Sequence, residues 1–300
     1  MNLFFKKLST FSLLLVVLFF GIIYLEFKTF NSITPEINTI KRQLILGDSN
    51  TECALNDTVL YNTTNLSSSG ESYFYSFLKL KYLLDNNCVV DTLYLSFSPH
   101  NLFDNGWLYN NGNIYSRFKT YYSMMSYEDF TYLIKSKPLA VINATRPIPR
   151  QLAKDIILKI EKGKFNVPGG YQYLNRDILQ EVIVKLRNNE PLPFFKIPKD
   201  FTLSKAETTY LKKIISLCAS NHIDLFLINT PKRDELLKYK QYGVTQYYEY
   251  YEKTLYDVKF LDFSKISMPD EYYGDLVHLN FRGAEYFSKI FKKNKLDYKY

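Results

Sequence analysis

Short apolar runs that stop at glycine or polar clusters alternate with stretches whose apolar residues recur at helical spacing, and this alternation organises the chain. The first run, Gln43-Leu44-Ile45-Leu46, ends abruptly in Gly47-Asp48-Ser49-Asn50 and predicts a buried strand opening into a tight loop. Val59 to Tyr61 predicts a short second strand, followed by a polar loop from Asn62 to Glu71 that contains Gly70. From Ser72 to Leu84 the spacing is helical, Asn86-Asn87 stops it, and Val89 to Phe97 is again strand-like. Farther on, Ser204-Lys205-Ala206-Glu207 has a capping-box pattern that opens a helix to about Ser220. Ile223 to Asn229 is the next strand, Val244 to Tyr256 a helix, Lys259 to Phe263 a last strand, and Arg282 to Lys292 a final helix. Strands and helices in this order predict an α/β fold on a parallel sheet.

Two stretches fall outside the pattern. Between Leu102 and Phe201 aromatics and prolines crowd together, with helical segments at Gln151 to Lys164 and Arg176 to Asn188. That stretch reads either as an insertion over the crevice at the strand ends or as a helical layer of the core. At the other extreme, no charge occurs from Leu8 to Leu25, a run long enough to cross a bilayer as a helix, with Lys6 and Lys7 before it. The flanking Tyr24-Leu25-Glu26-Phe27-Lys28 lacks the small-residue site of a cleaved signal peptide. The expected organisation is therefore a cytoplasmic tip and transmembrane signal anchor at 1–28, a linker at 29–41, and a catalytic domain at 42–300 on the far side of the membrane, with 102–201 inserted.

Composition narrows the chemistry. With 300 residues, 46% of them hydrophobic, the chain can bury a substantial core. Cys53, Cys88 and Cys218 have no metal-type spacing and read as small buried hydrophobes, and no two of the three histidines, His100, His222 and His278, pair at helical spacing. Neither a metal nor another cofactor is expected. The net charge of +8 includes Lys289, Lys292, Lys293, Lys295 and Lys299, the solvated face of a last helix or an attraction to an acidic polysaccharide or membrane surface. Nucleic acid is not an expected partner beyond a membrane.

A serine at the carboxyl end of a parallel strand sits at the mouth of a crevice, and it is idle until a base takes its proton. Ser49 holds that place, and His278 can serve as the base. Asp275, three residues earlier, is close enough in sequence to orient the imidazole if the loop turns back. The backbone N–H groups of Ser49 and Gly70 are candidate donors to an oxyanion. The α/β-hydrolase elbow Gly-x-Ser-x-Gly fits less well, since Asn50-Thr51 follows the serine.

Gly47-Asp48-Ser49, Gly70, Asn101 and Asp275-x-x-His278 together resemble the four blocks of the SGNH/GDSL hydrolase superfamily. The resemblance covers about Gln43 to Asn101 and Ser204 to Lys292; where the family commonly shows Gly-x-Asn-Asp, this chain runs Ser98-Pro99-His100-Asn101. It implies a three-layer, flavodoxin-like α/β/α fold with a five-stranded parallel sheet. It further implies Ser49 as nucleophile, His278 as base and Asp275 as its orienter, with the Gly70 N–H and the Asn101 side chain as oxyanion donors. The anchor, the insertion and Asp275-x-x-His278-Leu279-Asn280 look like membrane-anchored envelope enzymes that O-acylate polysaccharides.

The function this implies is acyl transfer, with an acyl-Ser49 passing its group to an exported polysaccharide and with Trp107 and Tyr109 holding the sugar. A carbohydrate acceptor, an acyl donor and a multi-spanning membrane acyltransferase are its expected partners. The alternatives are a carbohydrate esterase of the same fold and a glycan-binding protein with an idle triad. The N-terminal reading is checked by fusing a reporter after Lys41: export with retention in the membrane is expected, whereas a soluble mature protein beginning beyond Tyr24 would show a cleaved signal.

Overall fold

Five parallel strands, β1 (Gln43–Leu46), β2 (Thr63–Asn65), β3 (Thr92–Ser96), β4 (Asp224–Asn229) and β5 (Lys259–Asp262), pair in the order β2-β1-β3-β4-β5. These strands belong to a computed structural model that describes residues 2–32, 40–103, 111–145, 167–188, 190, 202–233 and 241–297. The chain divides into two compact units, residues 1–37 with 109–166, and residues 38–108 with 167–300.

In the second unit the register sorts side chains by face. Ile45, Tyr94 and Phe226 lie across from one another on neighbouring strands, as do Leu44, Leu93 and Leu225 on the opposite face. The Ile45 face is covered by α11 (Phe281–Asp297), whose Phe291 ring meets Tyr94 at 5.1 Å edge-on, while Phe287 meets Phe263 at 5.3 Å. α2 (Ser49–Ala54) packs beside α11 on that face, where Ala54 and Leu55 join the same apolar cluster. The other layer holds α3 (Tyr73–Asp85) and α9 (Lys205–Ser220), joined by the Phe74 and Tyr210 rings at 4.8 Å, and α10 (Gln241–Thr254), whose Tyr247 lies 4.7 Å from Phe97. Each fully buried leucine or phenylalanine in these layers contributes about 1.5–3 kcal/mol. The parallel sheet between helical layers is thus present, and Cys53, Cys88 and Cys218 are buried free thiols within it.

Several boundaries differ from the sequence reading. The second strand is Thr63–Asn65 and not Val59 to Tyr61, because Val59 and Leu60 both donate their N–H to Asn56 O and close a turn there. Thr63 and Thr64 are β-branched and pair with Gln43 and Leu44. The capping box at Ser204 is half formed: its hydroxyl accepts the Glu207 N–H, but the Glu207 carboxylate accepts the Tyr73 N–H at 2.9 Å and so caps α3. The helix expected from Arg176 starts only at Gln180 as α8 (Gln180–Arg187), since Ile178 N–H donates to Tyr273 O and holds this stretch extended. The helix expected at Gln151 to Lys164 lies outside the described residues.

Residues 109–166 of the stretch expected as one insertion group with the N-terminus, and 167–201 with the sheet. The first unit contains α1 (Asn2–Ser32), α5 (Asn111–Tyr121), α6 (Tyr127–Ser136) and α7 (Pro138–Thr145), and buries Ile114, Phe118, Leu133 and Val141. Ser126 and Asp129 form a reciprocal capping box at the start of α6. Counted over described residues alone, no helix is long and apolar enough to cross a membrane. The described apolar side chains of α1, among them Phe11, Leu13, Leu14, Val17 and Leu18, are exposed.

The loop before α3 is held by a buried ion pair. Lys79 Nζ and Glu71 Oε2 lie 2.6 Å apart with both side chains inaccessible; Ser76 donates to the same carboxylate at 2.8 Å, and Lys79 also donates to Leu66 O. Removing one member of such a pair leaves the other charge buried. Lys79→Met is therefore expected to cost about 3–5 kcal/mol in chemical unfolding. Lys79→Met combined with Glu71→Leu is expected to recover much of that loss, because neither charge is then left in the interior.

Candidate active site

Strand order reverses between β1 and β3, and ligands of open α/β sheets bind where the carboxyl ends of such strands diverge. β1 ends in Gly47, which has φ +150°, and a side chain there would meet Ser96 Cβ at 2.2 Å. Only glycine lets the loop after β1 lie against the end of β3. Asp48 then caps α2, accepting the Asn50 N–H at 3.0 Å, and Ser49 becomes the first residue of the helix. By that position the Ser49 N–H has no acceptor within its own helix.

Ser49 Oγ is 2.8 Å from His278 Nε2. On the other side of the ring, His278 Nδ1 lies 2.9 and 3.0 Å from the two oxygens of Asp275. Both contacts are satisfied by one assignment, with the proton on Nδ1 donated to Asp275 and Nε2 accepting from the Ser49 hydroxyl. Asp275 reaches back over three residues because its Oδ1 also accepts the N–H groups of Val277 and His278, each at 2.9 Å. Burial pushes the Asp275 carboxyl up. The hydrogen bond and charge of His278 and the two backbone donors outweigh it and hold the group well below the usual carboxylate range. Two residues on, Asn280 Oδ1 accepts the Gly283 N–H and starts α11.

The oxyanion candidates lie on loops joined to this frame. Gly70 has φ +66°, and its loop is tied to the first by Ser68 N–H donating to Gly47 O at 2.9 Å and by Thr51 Oγ1 donating to Ser67 Oγ at 2.8 Å. Asn101 lies on α4 (Pro99–Leu102), where its Oδ1 accepts the Ser98 N–H and its Nδ2 donates to Asp48 Oδ2, both at 2.9 Å. One of its amide hydrogens is therefore committed to Asp48. Trp107 and Tyr109, expected to hold a sugar, lie outside the described residues.

Three side chains that sequence reasoning did not single out reinforce the site. His100 contacts Asp48 Oδ2 through Nε2. Burial pushes Asp48 up, but the charge and hydrogen bond of His100, the charge of Lys232 and the Asn101 hydrogen bond together hold it well below the usual range. Lys232, buried in the loop after β4, donates to Asn50 Oδ1 at 2.7 Å. Arg176 pairs with Asp275 Oδ2, and neighbouring Asp177 accepts from Asn280 at 2.9 Å. The one signal in the sequence was the Ser98-Pro99-His100-Asn101 run in place of Gly-x-Asn-Asp; nothing local marks Lys232 or Arg176.

Among the described residues no group of histidines, cysteines and carboxylates is arranged to hold a metal ion. A protein-family model that carries no functional description matches residues 194–297, and no curated protein matches the chain. Among solved structures the chain is similar to an active-site mutant of a family two carbohydrate esterase from Clostridium thermocellum, with 10% identity over 86% of this chain and 64% of that one and a TM-score of 0.35. It is also similar to an acetyl xylan esterase from the rumen bacterium Butyrivibrio proteoclasticus, with 12% identity over 86% and 65% of the two chains and a TM-score of 0.31. The chain spans just under two thirds of the length of each.

Proposed function

We propose that this protein is a serine-dependent acyl-ester enzyme acting on carbohydrate. The observation that carries the reading is His278 placed 2.8 Å from Ser49 Oγ by one nitrogen and on Asp275 by the other. In the first half of the reaction His278 Nε2 takes the Ser49 proton as Oγ attacks the ester carbonyl, Asp275 stabilises the imidazolium without taking its proton, and the Ser49 and Gly70 N–H groups receive the oxyanion. The alcohol then leaves with the proton from His278, and Ser49 is acylated. In the second half His278 deprotonates the incoming hydroxyl, and Ser49 is released with its own proton restored.

Whether that hydroxyl belongs to a sugar or to water decides between transferase and esterase. Transfer to an exported polysaccharide is the reading we favour, supported by the aromatic-rich stretch and the apolar N-terminal run in the sequence. Water is at about 55 M, so transfer wins only where an acceptor is held in line. A membrane anchor and an acyl-supplying membrane partner belong to the same reading. Supplying the purified protein with an activated acetyl ester, with and without oligosaccharides, separates the cases: acetyl-sugar is expected, and acetate alone at an unchanged rate would make it an esterase.

The triad itself is tested by labelling with a fluorophosphonate, which Ser49→Ala and His278→Ala are expected to abolish while lowering turnover by on the order of 10^3 or more. Equal labelling of wild type and Ser49→Ala would leave a glycan-binding protein. Because the Asp275 pKa is depressed, its contribution is complete above the ordinary carboxylate value and is lost only as pH falls through the lower folded value. Asp275→Asn should therefore lower kcat by about 10^2–10^4 at every pH from weakly acid to neutral, with no recovery on acidification.

A further inference from the structure

The sheet unit contains a cavity of about 180 Å³ whose lining includes Arg187, Lys232, Arg233, Met268, Asp270 and Tyr273. Its described lining carries three cations and one carboxylate. Arg187 and Arg233 both bond that carboxylate, Asp270, at 2.8 and 2.6 Å. Lys232 and Arg233 are only 7% and 4% exposed. Lys232 offsets the Asp48 carboxylate and the two arginines share Asp270, so among the described residues three cations face two carboxylates and the lining keeps an excess of positive charge.

Two contacts tie the cavity's lining to the segments that carry Ser49 and His278. Lys232 donates to the side chain of Asn50, the residue after Ser49. Tyr273 bridges Leu279, the residue after His278, and the next N–H, that of Gly274, donates to His278 O at 2.9 Å. In serine acyl chemistry the base hands its proton to the alcohol, so the alcohol portion of the ester lies on the side of the base. A substituent on that alcohol that extends along the Tyr273 side of the His278 loop would reach this cavity. Its volume is below the ~300 Å³ at which pockets for drug-sized ligands begin, so it suits one substituent and not a length of glycan.

We infer that this cavity is a subsite for an anionic substituent, carboxylate or phosphate, on the sugar whose hydroxyl is acylated or deacylated. Arg187 and Arg233 present planar donors suited to either oxyanion, and Lys232 supplies a point charge. The inference rests on the acyl-ester reading for its orientation, and a binding measurement separates the two.

The full chain carrying Ser49→Ala, which cannot turn over, is titrated by calorimetry with an oligogalacturonate, a sugar phosphate and a neutral xylo-oligosaccharide. At least one anionic sugar is expected to bind about tenfold or more tightly than the neutral one; which one identifies the substituent. Arg187→Gln, at an exposed side chain, is expected to reduce that preference severalfold, and Lys289→Gln, at an exposed side chain of α11 that does not line the cavity, to leave it intact. Equal affinity for neutral and anionic sugars would overturn the subsite. So would a preference that survives Arg187→Gln together with Arg233→Gln, or one lost in Lys289→Gln, since the attraction would then be general. Anionic preference without turnover in the wild type would sink the enzyme reading and keep the subsite; turnover of neutral acetyl esters without anionic preference would do the reverse.

Discussion

A carboxylate with almost no contact with water, that of Asp48, holds the surroundings of Ser49 together. Burying it alone would cost several kcal/mol or force protonation. It is kept ionised by a ring of donors: the Asn50 backbone and side chain, Ser96 Oγ at 3.2 Å, Asn101 and His100. Those donors come from the start of α2, the end of β3 and α4. Asp48 thereby fixes the angle at which α2 starts and, with it, the direction of Ser49. Asn50 passes the constraint on to Lys232 and so to the loop after β4. Three of the five strands have their carboxyl ends joined through this one group.

The histidine half of the site depends on a different segment. Residues 167–178 run over the first two loops and then along the loop of Asp275 and His278. Gly169 lies so near Leu66 O that a side chain would come to 2.2 Å of it, Gly170 N–H donates to Ser67 O, and Gln172 N–H to Glu52 O. Farther on, Arg176 pairs with Asp275, and Asp177 accepts from Asn280 and Arg282. Tyr173 stacks on Phe281 at 4.8 Å. One strap therefore touches α2, the Gly70 loop and the acid–histidine loop, the last more than two hundred residues along the chain from the other two. Arg176 is well exposed, so its direct electrostatic worth is small; its effect is to add one more donor to the Asp275 carboxylate, which already accepts from Val277 and His278.

Much of this was legible before folding is considered. The parallel α/β sheet followed from period and order, since an apolar run that stops at Gly47 and a helical spacing after Glu71 are local properties of the chain. The acid, the histidine and the serine could be singled out because their chemistry demands one another. That Asp275 turns back onto His278 is likewise local, a three-residue hydrogen-bonded turn.

What the chain alone could not decide was where partners meet that are distant in sequence. The second strand moved from Val59 to Thr63 because its register against β1 outweighed local apolarity. The Glu207 carboxylate left its own helix to cap α3, and Asn101 turned one amide hydrogen to Asp48, choices that depend on which donors lie nearby after packing. The stretch from 102 to 201 reads in sequence either as an insertion or as a helical layer of the core; residues 109–166 group with the N-terminus and those from 167 with the sheet, where Ile178 N–H donates to Tyr273 O. Residue types and their spacing determined the candidate chemistry and the layer architecture. Only tertiary structure decided the distances and the buried charges around Ser49, because a carboxylate, an imidazole or an ammonium group shows its state only against the neighbours that burial imposes on it.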